Sequence, residues 1–336
     1  LKAQVVYELI ECPKEPGLFF IDKKVSEFYS KNYECVIAIG GGSVIDFGKI
    51  ISAMLPHGNS VLDHIEDVGN GIPHSGKKLP FIAIPTTSGT GSEATQNAVV
   101  TEIGPRGFKK SIRHENFISD AVIIDGSLLT SIPKEITASC GFDTLTQLIE
   151  SFISCKSTSF SDAISLSGLE QFLPNFVNAC FDGANDINIR QSLGYASFCS
   201  GIALTNADLG IVHGIAVPLG GIHPIPHGTA CGTLLASSLK VNIKAILDRD
   251  PTNNAIKKLV QIERIISKDF NKDPLNALRD LVFTIESWTE KLEIPRLGFY
   301  NLETRNIEKI IDLTSNRNNP ILLHKKEIKE IIESRL

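Results

Sequence analysis

The chain has 336 residues, of which 42% are hydrophobic and 21% charged, and its formal net charge is −5. This length predicts two domains, each large enough to bury its own core. The charge excludes a basic surface for nucleic acid and a polybasic membrane anchor, and no apolar run is expected to span a bilayer. The first residues lack a signal-peptide pattern, and seven cysteines without CxxC spacing predict free thiols in the cytoplasm.

Up to about residue 130, short apolar runs alternate with helical patterns, which is typical of parallel βαβ units with buried strands. Helices are predicted over 21–31 and 43–54. The polar stretch 57–78, rich in Gly, Asp and His, is predicted to be an exposed loop near the cleft. The predicted strands cover 4–7, 35–39, 80–84, 98–101 and 121–125.

From Pro133 onward the pattern changes to long amphipathic stretches with few β-branched alternations. A proline suits the first turn of a helix, so Pro133 marks the predicted boundary between the domains. The sequence therefore predicts an α/β domain over 1–132 and an all-helical domain over 133–336. The predicted helices cover 133–154, 159–181, 186–205, 228–246, 254–267 and 274–292.

A triple glycine, 40–42, lies directly between an apolar strand and a helix. Glycines there allow a sharp turn and let a pyrophosphate approach main-chain N–H groups. Ser43 is predicted to cap the helix, with Asp46 as the acidic half of a capping box. Glu8, after the first predicted strand, is placed like the acid that binds a ribose hydroxyl and favours NAD over NADP. The alternative is an ordinary strand-to-helix turn without a ligand.

A second loop, 85–95 (PTTSGTGSEAT), follows the predicted strand 80–84. Its dense hydroxyl groups can bind a nicotinamide amide, a ribose or a phosphate, although a generic Ser/Thr/Gly loop is the alternative. Two such loops at the carboxyl ends of strands favour a ligand crevice. The hydroxyl residues are Thr86, Thr87, Ser88, Thr90 and Ser92.

Two further stretches have the composition of one metal site. Asp143 and Gln147 are four residues apart and share one face of a predicted helix. His213 and His227 lie in a run punctuated by glycine and proline. One carboxylate and two imidazoles suit a divalent first-row metal and usually leave positions open for a substrate oxygen. Taken singly, each histidine also fits a helix-end residue, and Asp143 fits an ordinary helix acid.

Four motifs together, GGGSVID, PTTSGTGSEAT, GFDTLTQLIE and VHGIAVPLGGIHPIPHG, resemble the iron-containing (group III) alcohol dehydrogenase family in order and spacing. The resemblance covers nearly the whole chain but lacks the family's usual first strand–helix unit. It implies the two-domain plan shared with dehydroquinate synthase, with a Rossmann-like N-terminal domain, an all-α C-terminal domain and a cleft between them. It also implies NAD(P)-dependent oxidation of alcohols or reduction of aldehydes and ketones.

The resemblance also implies roles for individual residues. Lys110 matches a lysine directed at the cofactor ribose, and the expected metal is Fe²⁺ or Zn²⁺. The pyrophosphate contacts would be Gly41, Gly42 and Ser43, the nicotinamide contacts Thr86, Thr87 and Ser92, and the metal ligands Asp143, Gln147, His213 and His227.

At two positions the chain departs from the family pattern. Gln147 and Val217 stand where most members have histidines. An amide oxygen is a weaker ligand than an imidazole, so we expect weaker metal binding. His223 is an extra imidazole that is predicted to relay a proton, with an exposed loop histidine as the alternative.

Three other functions fit parts of this pattern. One is a lyase like dehydroquinate synthase, and another is a metal-free reductase of the maleylacetate reductase kind. The third is a nucleotide-binding remnant without turnover. The expected partner is a small-molecule alcohol or aldehyde, with no nucleic acid and no membrane. Relatives of this plan often associate, so a homodimer or a higher homo-oligomer is expected by analogy.

Overall fold

The computed structural model describes residues 6–13, 16–102 and 108–336, apart from the side chain of residue 305. A three-stranded parallel sheet has the order β1-β2-β5, and β3 and β4 form a separate antiparallel pair. The strands are β1 (Val36–Gly40), β2 (Phe81–Pro85), β3 (Asn97–Glu102), β4 (Phe108–Arg113) and β5 (Ala121–Val122).

Twelve α-helices occur in the part of the chain that the structure describes. Two precede residue 60 and ten follow residue 133. They are α1 (Leu18–Phe28), α2 (Gly42–Met54), α3 (Lys134–Ile153), α4 (Ser159–Phe172), α5 (Phe176–Ala179), α6 (Ile187–Ala207), α7 (Ile211–Ile222), α8 (His227–Arg249), α9 (Asn254–Ser267), α10 (Pro274–Lys291), α11 (Thr304–Leu313) and α12 (Lys325–Glu333).

The sheet places the two glycine- and hydroxyl-rich loops side by side. In the parallel pair of β1 and β2, Gly40 lies opposite Pro85. The chain leaves both strands at this edge, so the glycine turn and the hydroxyl loop emerge next to each other. Helix α2 then packs on the strands through Gly48, where a Cβ would lie 2.9 Å from the ring of Phe81. This edge is the carboxyl-end crevice that the sequence predicts.

Several predictions for the first part of the chain are wrong in detail. Residues 4 and 5 of the first predicted strand lie outside the described residues, and Val6 and Tyr7 are not in a strand. The predicted strand at 98–101 is β3, but it pairs with the unpredicted β4 and not with the parallel sheet. Strand β1 is also not buried on both faces, because its Ile37 and Ile39 are 58% and 60% exposed.

The predicted loop 57–78 does not lie wholly on the surface. Val61 and Ile65 are buried in the core beneath β3 and α2, and His74 is also buried. The His74 ring makes edge-on contacts with His57 and His64, at centroid distances of 4.6 and 4.9 Å. This stretch therefore folds against the α/β part of the chain and helps to build it.

The helical part has its own core, formed by buried apolar residues between Ala138 and Ile332. The cores of the α/β part end at Phe117. The predicted helix at 159–181 is two helices, because Pro174 interrupts the pattern after α4. The sequence prediction missed α7, α11 and α12. The change of core between Phe117 and Ala138 is compatible with the boundary at Pro133, which stays a prediction.

One helix, α8, is long and apolar enough to cross a membrane, contrary to the sequence prediction. However, 78% of the most apolar 18-residue stretch of α8 is buried inside the protein. The pair of α6 and α7, bent by 100°, passes the same test only when it is taken as one broken span. The apolar character of α8 is accounted for by its place in the helical core.

Candidate metal centre and cofactor crevice

Four side chains from three helices converge on one point in the helical part. They are Asp143 of α3, His213 of α7, and His227 and Cys231 of α8, and their ligand atoms all lie within 4.8 Å of one another. Asp143 Oδ1 is 3.4 Å from His213 Nε2 and 3.6 Å from His227 Nε2. The Asp143 and His213 side chains are buried, whereas that of His227 is 26% exposed. The cluster is therefore closed on three sides and open beside His227.

Two glycines of α8 allow the close approach that forms this cluster. A Cβ at Gly232 would lie 2.8 Å from Cγ of Phe142, and one at Gly228 would collide with the carbonyl oxygen of Ser139. Helices α3 and α8 therefore cross with their backbones close together. Residue 143 of α3 is thereby brought next to residues 227 and 231, which are one helical turn apart on α8.

Glu150 orients the His213 ring. Its Oε2 lies 2.6 Å from His213 Nδ1, and its Oε1 accepts a hydrogen bond of 2.6 Å from the Val212 backbone N–H. With Nδ1–H donating to the carboxylate, the lone pair of Nε2 faces the cluster. The sequence analysis missed Glu150, although its spacing was a usable signal. Asp143, Gln147 and Glu150 follow one another at i, i+4 and i+7 on one helical face.

Gln147 lies beside the cluster and is joined to it through Asp143. Its Nε2 donates a hydrogen bond of 3.0 Å to Asp143 Oδ1. Its Oε1 accepts a hydrogen bond of 2.6 Å from Ser200 Oγ. In this arrangement the amide donates to the carboxylate and holds its orientation.

The charges around the cluster favour a positive group. Burial by itself would raise the pKa of Asp143, but His227, His213 and the Gln147 amide lower it overall. Burial lowers the pKa of His227 to about 4, so its imidazole is neutral at physiological pH. Burial also disfavours a charged His213, yet Cys231, Asp143 and Glu150 raise its pKa well above the ordinary value. The site thus attracts positive charge, and a metal ion would compete with that proton.

The glycine turn meets the hydroxyl loop directly. A Cβ at Gly42 would lie 2.6 Å from Thr90 Cγ2, and one at Gly41 would lie 3.3 Å from Thr87 Oγ1. The Thr86 N–H also donates a hydrogen bond of 2.8 Å to the Gly40 carbonyl. A side chain at residue 42 would force Thr90 to move, whereas one at residue 41 would only be tightly packed, and the two loops form one continuous surface.

The capping prediction for α2 is wrong. The helix begins at Gly42 with Gly41 as its N-cap, and no side chain caps it, so Ser43 is already helical. Asp46 accepts a hydrogen bond from the Ser92 hydroxyl of the second loop. Because no side chain satisfies the first N–H groups of α2, they stay suited to an anionic ligand.

A buried lysine fixes the hydroxyl loop from below. Lys49 Nζ donates to the carbonyl oxygens of Ser92, Thr95 and Asn97, at 2.7 to 2.8 Å. Burial lowers the pKa of Lys49 to about 8 and raises that of Glu93 to about 7. The sequence analysis missed both residues. The available signal was one charged residue in each element, Lys49 in the apolar helix α2 and Glu93 in the glycine-rich loop.

The hydroxyl loop also reaches the helical part. Thr144 Oγ1 lies 3.2 Å from the Ser88 carbonyl oxygen and 3.0 Å from that of Gly89. Thr144 follows Asp143 directly on α3. Gly91, in the left-handed region at φ 60°, packs on the backbone of Gly201 in α6. The hydroxyl loop is therefore held between the glycine turn and the helix that carries Asp143.

Three predicted site residues make their described contacts outside the cluster and the two loops. Glu8 forms an ion pair of 2.7 Å with Lys31, which precedes β1, whereas the glycine turn follows β1. Lys110 forms an ion pair of 2.7 Å with Asp67. His223 ends α7, about 15 Å along the helix from His213 at the usual rise. Its Nε2 is buried and has no hydrogen-bond partner among the described residues. Its role as a proton relay stays a prediction.

Replacing Glu150 by glutamine tests its orienting role. We expect metal affinity to fall roughly 10–100-fold, the usual cost of losing a carboxylate behind a metal-binding histidine. The measurement is competition with a fluorescent chelator. Glu170→Gln, at an exposed position of α4, is the control and should leave the affinity unchanged. Equal affinities of Glu150→Gln and the unmodified protein would contradict the assignment.

Comparison with known proteins agrees with this fold and identifies a family. Residues 1–126 match the family model "Iron-containing alcohol dehydrogenase", and residues 137–336 match "Fe-containing alcohol dehydrogenase family, C-terminal". The NADPH-dependent butanol dehydrogenase of Clostridium saccharobutylicum is 30% identical, over 99% of this chain and 84% of its own length. The choline dehydrogenase of Bacillus subtilis is 30% identical, over 92% of this chain and 78% of its own length.

Solved structures share the whole architecture. The sulfoacetaldehyde reductase of Bifidobacterium kashiwanohense, solved with NAD⁺, has a TM-score of 0.83 at 26% identity and covers 96% of this chain and 82% of its own. The alcohol dehydrogenase of Oenococcus oeni has a TM-score of 0.83 at 25% identity, with coverages of 99% and 84%. The neighbours are two-domain proteins with a Rossmann-like domain followed by an all-α domain.

The fold and the matched family models are those of a two-domain oxidoreductase. The chain belongs to the iron-containing alcohol dehydrogenase family. It is an enzyme that acts on CH–OH groups of small alcohols with NAD(P) and a divalent metal.

Proposed function

We propose that Asp143, His213 and His227 hold the divalent metal, and that hydride passes between the substrate carbon and the nicotinamide beside it. The observation that carries this proposal is the convergence of the three ligand atoms, with Asp143 Oδ1 3.4 and 3.6 Å from the two imidazoles. When bound, the metal supplies a Lewis acid that polarises the substrate oxygen. Gln147 supports the site through its hydrogen bond to Asp143.

The protein side chains prepare the site for this chemistry. Asp143 contributes the negative charge that balances a cation. Glu150 holds the His213 ring so that Nε2 faces the cluster. The partly exposed edge of His227 marks the side from which a substrate enters. Buried helix surfaces on the other sides exclude water, which strengthens electrostatic interactions at the reacting atoms.

For the cofactor we propose a position across the two loops. The N-terminus of α2, at Gly41, Gly42 and Ser43, would bind the pyrophosphate through main-chain N–H groups. Thr86 and Thr87 of the adjoining loop would line the nicotinamide half. Asp46 and Ser92 bond to each other, so we assign them to support of the loop and not to direct contact.

The choice between NAD and NADP is left to experiment. Glu8 is paired with Lys31, so it provides no support for NAD. Among the relatives, one is named as NADPH-dependent and another was solved with NAD⁺. We propose a cytoplasmic enzyme, because all seven cysteines are free thiols, as is usual in a reducing compartment.

The decisive experiment is a screen of NADH and NADPH oxidation with short-chain aldehydes and ketones. Each assay contains chelator-treated protein, with Fe²⁺, Zn²⁺ or no added metal. We expect turnover that returns only with metal. Undiminished turnover after metal removal would favour a metal-free reductase. Cofactor binding without turnover in any metal condition would favour a nucleotide-binding remnant.

Alanine variants of Lys109 and Lys110, neighbours on β4, test which lysine contacts the cofactor ribose. The resemblance selects Lys110, but its ammonium pairs with Asp67. Neighbouring residues of β4 point to opposite faces, and the charge of Lys109 is close enough to contribute to lowering the pKa of His227. We expect Lys109→Ala to raise the cofactor KM roughly 5–10-fold, the loss of about 1 kcal/mol. Lys110→Ala should leave it nearly unchanged, and the reverse result would restore Lys110 as the contact.

A further inference from the structure

We infer that Cys231 is the fourth metal ligand and takes the position at which most family members have a histidine and this chain has Gln147. The inference rests on the proposed metal site of Asp143, His213 and His227. Cys231 Sγ lies 3.8 Å from Asp143 Oδ1, 3.8 Å from His213 Nε2 and 3.8 Å from His227 Nε2. The sulfur is thus equally far from all three proposed ligand atoms.

These distances are those of donors around a common ion. Bonds of about 2.0–2.3 Å to a tetrahedral centre place the donor atoms about 3.3–3.6 Å apart. The Asp143 oxygen lies 3.4 and 3.6 Å from the two imidazole nitrogens, and the sulfur lies 3.8 Å from each of these three atoms. The two imidazole nitrogens lie within 4.8 Å of each other, so a bound ion would draw the set slightly inward. A hydrogen bond from the thiol does not by itself account for the arrangement, because its single proton can point at only one of the three equidistant atoms.

The backbone fixes the sulfur in this place. Cys231 is fully buried and lies four residues after His227 on α8, so the two side chains share one face of the helix. The crossing of α8 with α3 at Gly232 keeps that face against Asp143. The sulfur therefore reaches the cluster without a change of backbone position.

Gln147 does not compete for the same position. Its Oε1 accepts the Ser200 hydroxyl, and its Nε2 points at Asp143. Sulfur is thus the donor that completes the set of one oxygen, two nitrogens and one sulfur. On metal binding the Cys231 thiol loses its proton to solvent and binds as a thiolate. A tetrahedral set that contains a thiolate and imidazoles favours Zn²⁺ over metals that prefer oxygen ligands.

Cobalt substitution tests the inference. Chelator-treated protein is titrated with Co²⁺, and absorption spectra are recorded. We expect intense visible ligand-field bands from a four-coordinate ion and a near-ultraviolet charge-transfer band from thiolate to cobalt. Cys231→Ser should lose the charge-transfer band and bind Co²⁺ at least 10-fold more weakly, while its circular dichroism spectrum is retained. Cys199→Ser, at another buried cysteine of the helical part, and Gln147→Ala should keep the charge-transfer band.

The outcomes separate the two proposals. Ligand-field bands without a charge-transfer band in the unmodified protein would overturn the role of Cys231 and leave the three-residue site standing. The absence of any cobalt spectrum would overturn the metal site itself. Persistence of the charge-transfer band in Cys231→Ser would assign it to another thiol and overturn the inference. Because the first measurement uses the unmodified protein, a folding defect in the variant does not decide the result.

Discussion

Replacement of His227 by alanine is expected to remove most of the bound metal and most of the activity. His227 contributes a neutral imidazole at the open side of the cluster, 3.6 Å from Asp143 Oδ1. Loss of a direct ligand should exceed the roughly 10–100-fold cost of losing a residue behind a ligand. We therefore expect more than about a 100-fold loss of metal affinity. Elemental analysis of the purified protein and the rate of aldehyde reduction are the measurements.

The control for this variant is His324→Ala. His324 is the exposed residue at the N-cap of α12 and is not one of the four converging side chains. It should retain its metal content and change the free energy of unfolding by less than about 0.5 kcal/mol. A His227→Ala protein that keeps both metal and turnover would refute the site.

Replacement of Lys49 by methionine is expected to destabilise the protein by about 3–5 kcal/mol, because it leaves buried acidic partners without their cation. Lys49 is fully buried, donates to three carbonyl groups and lies close to Asp46 and Glu93. Its removal also releases the hydroxyl loop, so cofactor affinity should fall together with stability. Urea unfolding and cofactor titration by fluorescence measure the two effects.

Two further variants test whether the loss of stability in Lys49→Met comes from the unpaired buried charges. Lys240→Met, at an exposed position of α8, should change the free energy of unfolding by less than about 0.5 kcal/mol. Adding Asp46→Asn and Glu93→Gln to Lys49→Met should recover part of the loss, because the unpaired buried charge is then gone. A Lys49→Met protein as stable as the unmodified one would show that this lysine does not hold the loop.

Local patterns in the sequence were sufficient to predict the elements that position the site. The helix from Pro274 and that from Asn254 were predicted nearly to the residue, because each has caps and a clear apolar face. The strands β1 and β2 were recognised because apolar runs end at glycine or proline. The glycine turn and the hydroxyl loop were correctly placed side by side at the carboxyl edge of the sheet.

Other features depend on contacts between distant residues, which local patterns do not contain. Helix α7 was missed because Pro218 and its glycines resemble a loop, whereas burial against the helical core keeps it helical. The pairing of β3 with β4 depends on Phe108–Arg113, where adjacent lysines obscure the alternation. Cys231 showed no motif spacing, and only the close crossing of α3 and α8 brings it to the cluster.

Neighbouring residues of α3 serve the two halves of the proposed reaction. Thr144 holds the Ser88 and Gly89 carbonyl groups of the hydroxyl loop, while Asp143 belongs to the metal cluster. Because the two residues adjoin, the hydroxyl loop and the side-chain cluster are anchored to the same turn of α3, and a substitution that moves this turn should disturb both.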